Sequence, residues 1–212
     1  MLCGGFAKAD VLYPNTVTLL STDPTQLGRL SRNGIAADWS FQEAFPGILN
    51  STTSYHYQAI PVVVPSGLSF LQITIDSNNT DIFAALYDTS YNPDPGALNR
   101  GLDVNYLGDA GGSGNFNGFS PRFFQVVDQT AADSVSGFGT VFLVLTETTI
   151  NGTGLNSPVD VLVEGFCDAD FDGLGQCTGG GTGTVPEPGT LAPLVAGFTA
   201  LIVAYRRNRR AA

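Results

Sequence analysis

Apolar residues recur at every second position in several short segments of this chain. That spacing turns one face of a β-strand to a core and the other to solvent. Within residues 68–75, Leu71, Ile73 and Ile75 share a face. Within residues 81–87, Phe83, Ala85 and Tyr87 stand opposite Ile82, Ala84 and Leu86. Residues 122–127, 140–148 and 158–166 continue the series, and in the last Val159, Val161 and Val163 face away from Asp160 and Glu164. Turn-forming runs lie between them: Asp76-Ser77-Asn78-Asn79, Tyr91-Asn92-Pro93-Asp94-Pro95-Gly96 and the glycine-rich residues 108–118. Many short strands without intervening amphipathic helices predict an all-β antiparallel sandwich or jelly roll over residues 10–166. No internal repeat stands out.

Composition agrees with strands. Only 13% of residues are charged, while the chain carries 26 Gly, 12 Pro and 14 Phe. The hydrophobic share of 43% is enough for a packed core, which argues against a disordered chain. Charge is distributed unevenly. Between Asp10 and residue 184 only Arg29, Arg32, Arg100 and Arg122 face 18 acids, leaving a body of −14 within a chain of −10. So acidic a surface repels phosphate backbones and excludes nucleic acid as a partner.

The remaining bases gather at one end. A Gly/Thr linker at residues 179–184 leads into Val185-Pro186-Glu187-Pro188-Gly189. An uncharged apolar-leaning stretch, residues 190–205, follows, and then Arg206, Arg207, Arg209 and Arg210 around Asn208. In a helix the stretch falls short of the ~20 residues that a hydrocarbon core asks for. Arginines directly after it would hold that end in the cytoplasm and leave the body outside. The competing reading, a buried C-terminal helix, does not account for four arginines abutting the apolar run.

This order of motif, short transmembrane helix and arginine-rich tail resembles the PEP-CTERM sorting signal. The resemblance covers residues 185–210, with Pro186, Glu187 and Pro188 intact. It implies recognition by an exosortase, a membrane transpeptidase-like enzyme, with cleavage near the motif. It also implies a Gram-negative-type envelope and a link to exopolysaccharide and biofilm matrix. The prolines suit such a role, since they keep the segment extended for a protease cleft. The body offers a second resemblance through Asp23-Pro24-Thr25-Gln26-Leu27-Gly28-Arg29-Leu30-Ser31-Arg32-Asn33-Gly34, Asp38-Trp39-Ser40, Glu43-Ala44-Phe45-Pro46-Gly47, Tyr55-His56-Tyr57 and Phe124-Gln125-Val126-Val127. These are similar to an uncharacterised β-sandwich domain of bacterial surface proteins. Ala85-Leu86-Tyr87-Asp88 before a proline-rich turn is similar to the bacterial pre-peptidase C-terminal type of sandwich. Neither likeness implies a catalytic residue.

An export signal is expected at the other end, yet Met1 to Ala9 has neither a basic start nor a long apolar region. Ala7-Lys8-Ala9 nevertheless reads as an A-x-A cleavage site before Asp10. The expectation is that residues 1–9 are the end of a signal peptide whose start lies upstream; the alternative is that the chain begins here and is exported by another signal. Cys3 follows Leu2, where a lipoprotein signal wants Gly or Ala, so lipidation is not expected.

Chemistry is sparse. Within the linker, residues 167–184, Asp168, Asp170 and Asp172 alternate ahead of Gly173, as in the first half of a calcium loop. Gly179 stands where a bidentate Glu belongs, so the alternatives are a weak calcium site and a solvated acidic linker. Cys167 and Cys177 flank the loop. With Cys3 removed they form an even pair in an oxidising compartment, and a bridge between them would stabilise by about 3 kcal/mol in the chain-entropy model. Zinc is a poorer fit for two thiolates. His56 is the only histidine, and no nucleophile elbow accompanies it, so it reads as a strand-edge or packed residue. Glu43, Glu147, Glu164 and the many aspartates single out no glycosidase pair. Trp39 with Phe41 and Phe45 is either a sugar-stacking platform or core packing. The expected function is an exported, non-enzymatic surface or extracellular-matrix protein, with a carbohydrate- or protein-binding adhesion module as the alternative.

Overall fold

The computed structural model describes residues 9–39, 43–66, 68, 70–127 and 139–166. The strands are β1 (Asp10–Thr18), β2 (Thr25–Leu30), β3 (Ile48–Val63), β4 (Phe70–Asp76), β5 (Ile82–Asp88), β6 (Tyr106–Asp109), β7 (Arg122–Val127), β8 (Thr140–Glu147) and β9 (Pro158–Phe166). They form two sheets, one ordered β1-β9-β4-β7 and the other β2-β3-β8-β5-β6. Every neighbouring pair is antiparallel. The chain divides into two compact units, Met1–Gly180 and Gly181–Ala212. All described residues belong to the first, and among them no helix is long and apolar enough to cross a membrane.

Alternation in the sequence becomes the core directly. Leu71, Ile73 and Ile75 of β4, Phe124 and Val126 of β7, and Val159, Val161 and Val163 of β9 are the inner face of the first sheet. They meet Ile60 and Val62 of β3, Ile82, Ala84 and Leu86 of β5, and Val141, Leu143 and Leu145 of β8 from the second. Strand β5 is buried on both faces. Its other side, Phe83, Ala85 and Tyr87, packs with Leu30, Leu102, Tyr106 and Val144 in a second cluster beneath Phe45, Ile48 and Tyr91. Its uninterrupted apolar run, Ile82 to Tyr87, is what a strand covered on both faces requires.

Register places the two ends of the sandwich. In the first sheet Phe70 faces both Val127 and Phe166, whereas Ile75 faces Arg122 and Val161. Five residues of strand therefore separate the Phe166 pole from the Arg122 pole, roughly 16 Å. Asp10 pairs with Gly165, so both ends of the described body emerge together at the Phe166 pole.

Segments without clear alternation also became strands. β3 reads Asn-Ser-Thr-Thr-Ser near its start yet pairs first with β2 and then with β8. β1 contains Pro14 and Asn15 and lies at a sheet edge, where a missing ladder donor is tolerated. Residues 34–37 bridge the sheets. The Gly34 and Ala37 amides donate to the Gly111 and Asp109 carbonyls, and the Gln125 amide of β7 donates to the Ala37 carbonyl.

If β8 is the centre of the sandwich, Leu143→Ala, at a fully buried position, should cost about 2–5 kcal/mol in urea unfolding. Val63→Ala on β3, where the side chain is 72% exposed, should stay within about 0.5 kcal/mol. Equal losses at the two sites would contradict the assigned faces.

Candidate functional site

At the Arg122 pole lies a surface cavity of about 340 Å³. Arg122 lies two residues before buried Phe124 on β7, so the strand's period of two aims both at the core side. At this end of the strand the guanidinium meets the Gly111–Gly114 loop. Its Nε donates to the carbonyls of Ser113 at 3.0 Å and Gly114 at 2.6 Å. Arg32 reaches the same residue from the other side, Nη1 donating to Ser113 Oγ at 2.7 Å. Buried Ser113 thus holds two of the body's four arginines.

Glycine is needed in this loop for space. Gly111 has φ +64°, and a Cβ there would stand 2.3 Å from the Ile35 carbonyl carbon. A Cβ at Gly112 would lie 3.0 Å from Arg122 Nη1 and 3.1 Å from Cζ, so the guanidinium rests on bare backbone. Arg32, Gly34, Gly112, Asn117, Phe119 and Arg122 line the cavity. Phe119 is 65% exposed, with the Arg122 Cζ 5.9 Å from its ring centre. Partial burial lowers the pKa of both arginines from the usual value, and Arg29 adds to the effect at Arg32 while Asp81 opposes it. Guanidinium is so weak an acid that both remain cations. Asp81 is itself engaged, since Thr149 Oγ1, Thr153 N and Thr153 Oγ1 all donate to its carboxylate.

Behind the glycine loop sit two buried carboxyls. Tyr106 Oη is 2.8 Å from Asp109 Oδ2 and 3.3 Å from Glu43 Oε2, and the Asp109 amide donates to Glu43 Oε2. Asn33 donates to Glu43 Oε1, and the Gly111 amide donates to Asp109 Oδ1 at 2.6 Å. Burial, then the nearby Glu43 charge, pushes Asp109 up to about 7, against hydrogen bonds from Tyr106 and Gly111 that favour the anion. The pair acts as a prop for Gly111 and so for the arginine loop.

His56, the lone histidine, is packed as its sequence context implied. Its Nδ1 lies 2.7 Å from Oε1 of fully buried Glu147, which also accepts the His56 amide, while Glu147 Oε2 accepts the Asn151 amide. The carboxylate ties β3, β8 and the turn after β8 together.

Trp39 is half-buried, donates from Nε1 to the Leu71 carbonyl, and packs edge-on against Phe70 and Phe166. Phe45 packs against Tyr106 in the second cluster. The structure therefore puts Trp39 and Phe45 against different partners, with Trp39 at the Phe166 pole. Cys167, Cys177, Asp168, Asp170, Asp172, the motif Val185 to Pro188, and Arg206, Arg207, Arg209 and Arg210 lie outside the described residues. The arginine cavity has no periodic signature; the available hint was a glycine cluster near an arginine in an arginine-poor chain. No family model, curated protein or solved structure matches the chain.

Asp109 gives a pH test. Its folded pKa near 7 exceeds the ordinary 3.8, so between those values the folded state holds more proton than the unfolded. Its contribution to stability is therefore greatest below about pH 4, declines as pH rises toward 7 and is flat above. Asp109→Asn removes that slope. From pH 5 to 7 wild type should lose stability relative to the variant, by up to about 1.4 kcal/mol per pH unit. Parallel pH profiles in denaturant unfolding would contradict the assignment.

Proposed function

We propose that this is an exported, non-enzymatic surface or extracellular-matrix protein that an exosortase processes at Pro186-Glu187-Pro188. The observation that carries the reading is the order of residues 185–210: motif, uncharged apolar stretch of membrane character, and four arginines in five positions. The acidic body supports it, because positive charge is held back for the segment that would face the cytoplasm. The strand layout supports it too. The last described strand ends at Phe166 beside Asp10, so a cut near the motif leaves every strand of the body intact.

Between body and motif, Cys167 and Cys177 would close a loop that holds Asp168, Asp170 and Asp172, the candidate calcium ligands. Residues 190–205 serve as the membrane segment of the precursor. After sorting, the body belongs to the cell surface or the surrounding matrix, with exopolysaccharide as its proposed neighbour. The second reading, an adhesion module, is favoured by a specific feature: the arginine cavity lies at the pole opposite Phe166, the last described residue.

Intact mass tests the sorting reading. In an exosortase-bearing host, the wild-type chain should lose the residues beyond the motif, and a chain with Pro186, Glu187 and Pro188 replaced by alanine should keep them. A Cys167–Cys177 bridge would make the product lighter by two hydrogens. An uncut chain in both cases would mean that residues 190–205 are a permanent anchor or a packed helix.

A further inference from the structure

We infer that the cavity between Arg32 and Arg122 binds the carboxylate of an acidic sugar, a uronic acid residue, with the sugar ring resting on Phe119. The inference stands on the cavity alone and does not depend on the sorting reading.

Charge singles the cavity out. The body has four arginines against 18 acids, and two of the four line this cavity. Arg29 and Arg100 lie elsewhere: Arg29 Nη1 donates to the Leu30 carbonyl, and Arg100 donates to the Ser51 and Pro95 carbonyls. A bound carboxylate would touch the Arg32 and Arg122 guanidinia, whereas charges farther off than the Debye length, about 8 Å at physiological ionic strength, are largely screened. Asp81, tied to Thr149 and Thr153, partly offsets the charge of Arg32. A planar guanidinium fork matches a carboxylate with two parallel hydrogen bonds, a geometry that a point charge does not offer.

Size and shape argue for more than a lone anion. The volume of about 340 Å³ lies at the low end of small-ligand pockets, room for one or two sugar rings. Phe119 stands exposed at its wall, a flat apolar face for the C–H side of a pyranose. Asn117 offers an amide that can donate to and accept from hydroxyls. The arginines are preorganised as well: Ser113 fixes both, and the Gly112 backbone lets the Arg122 fork lie flat. Preorganisation lowers the ordering cost of binding.

Calorimetric titration of the full chain in mild detergent with trigalacturonate tests the proposal, with maltotriose as the neutral sugar and tricarballylate as a carboxylate without a ring. Trigalacturonate should bind, and maltotriose and tricarballylate should bind at least about tenfold more weakly. Arg32→Gln should weaken trigalacturonate about tenfold, because it removes one charge-assisted hydrogen bond, and Phe119→Ala by about fivefold. Both side chains are exposed, so thermal melting should show the fold retained where Arg122→Gln would disturb the loop. No binding of trigalacturonate, equal affinity for maltotriose, or an unchanged affinity in Arg32→Gln would overturn the proposal. Tricarballylate binding as tightly as trigalacturonate would overturn its sugar part.

Discussion

Three backbone hydrogen bonds from residues 34–37 hold the open side of this sandwich together. Strands β6 and β7 are edge strands of different sheets, and an unpaired edge carries a row of unmet donors and acceptors. Gly34 and Ala37 donate to β6 and its loop, and Ala37 accepts from Gln125 of β7. The bridge does more than cover edges. It brings Arg32, just before it in sequence, to Ser113 and Arg122 across a gap that neither sheet spans. The cavity exists because the two edges are tied at this point.

The polar groups behind the bridge have consequences for stability. Buried carboxyls are costly unless hydrogen bonds satisfy them. Glu43 and Asp109 meet that demand with Asn33, Tyr106 and two backbone amides, one of them from Gly111. The same amide that satisfies Asp109 fixes the first residue of the arginine loop. Protonation of Asp109 therefore bears on the packing behind the cavity, while His56 and Glu147 play a separate part at the β3–β8 seam.

Much of the architecture was legible in the sequence because strands announce themselves by period. The faces of β4 and β9 follow from Leu71, Ile73, Ile75 and from Val159, Val161, Val163. β3 hid behind a polar opening half, and β6 is only four residues long, too short for a period to register. The glycine-rich stretch read as a turn because glycine marks flexibility and close approach alike. Here the close approach governs: Gly112 touches Arg122, and Gly114 has no room for a side chain beside the Asn79 carbonyl. Trp39 drew attention as the single tryptophan, yet it packs at the opposite pole, whereas Phe119 stands at the cavity. Proximity of residues 32, 113 and 122 depends on topology, which no local pattern encodes.

On the proposed reading, labour is divided among an acidic sandwich whose described ends lie at one pole, an arginine-lined cavity at the other, and a C-terminal sorting signal. The most direct test is antibody staining of intact, unpermeabilised cells with a reagent against residues 10–166. The account predicts staining of cells that express the whole chain and none when residues 185–212 are deleted. Staining that appears only after lysis would place the body inside and contradict the account.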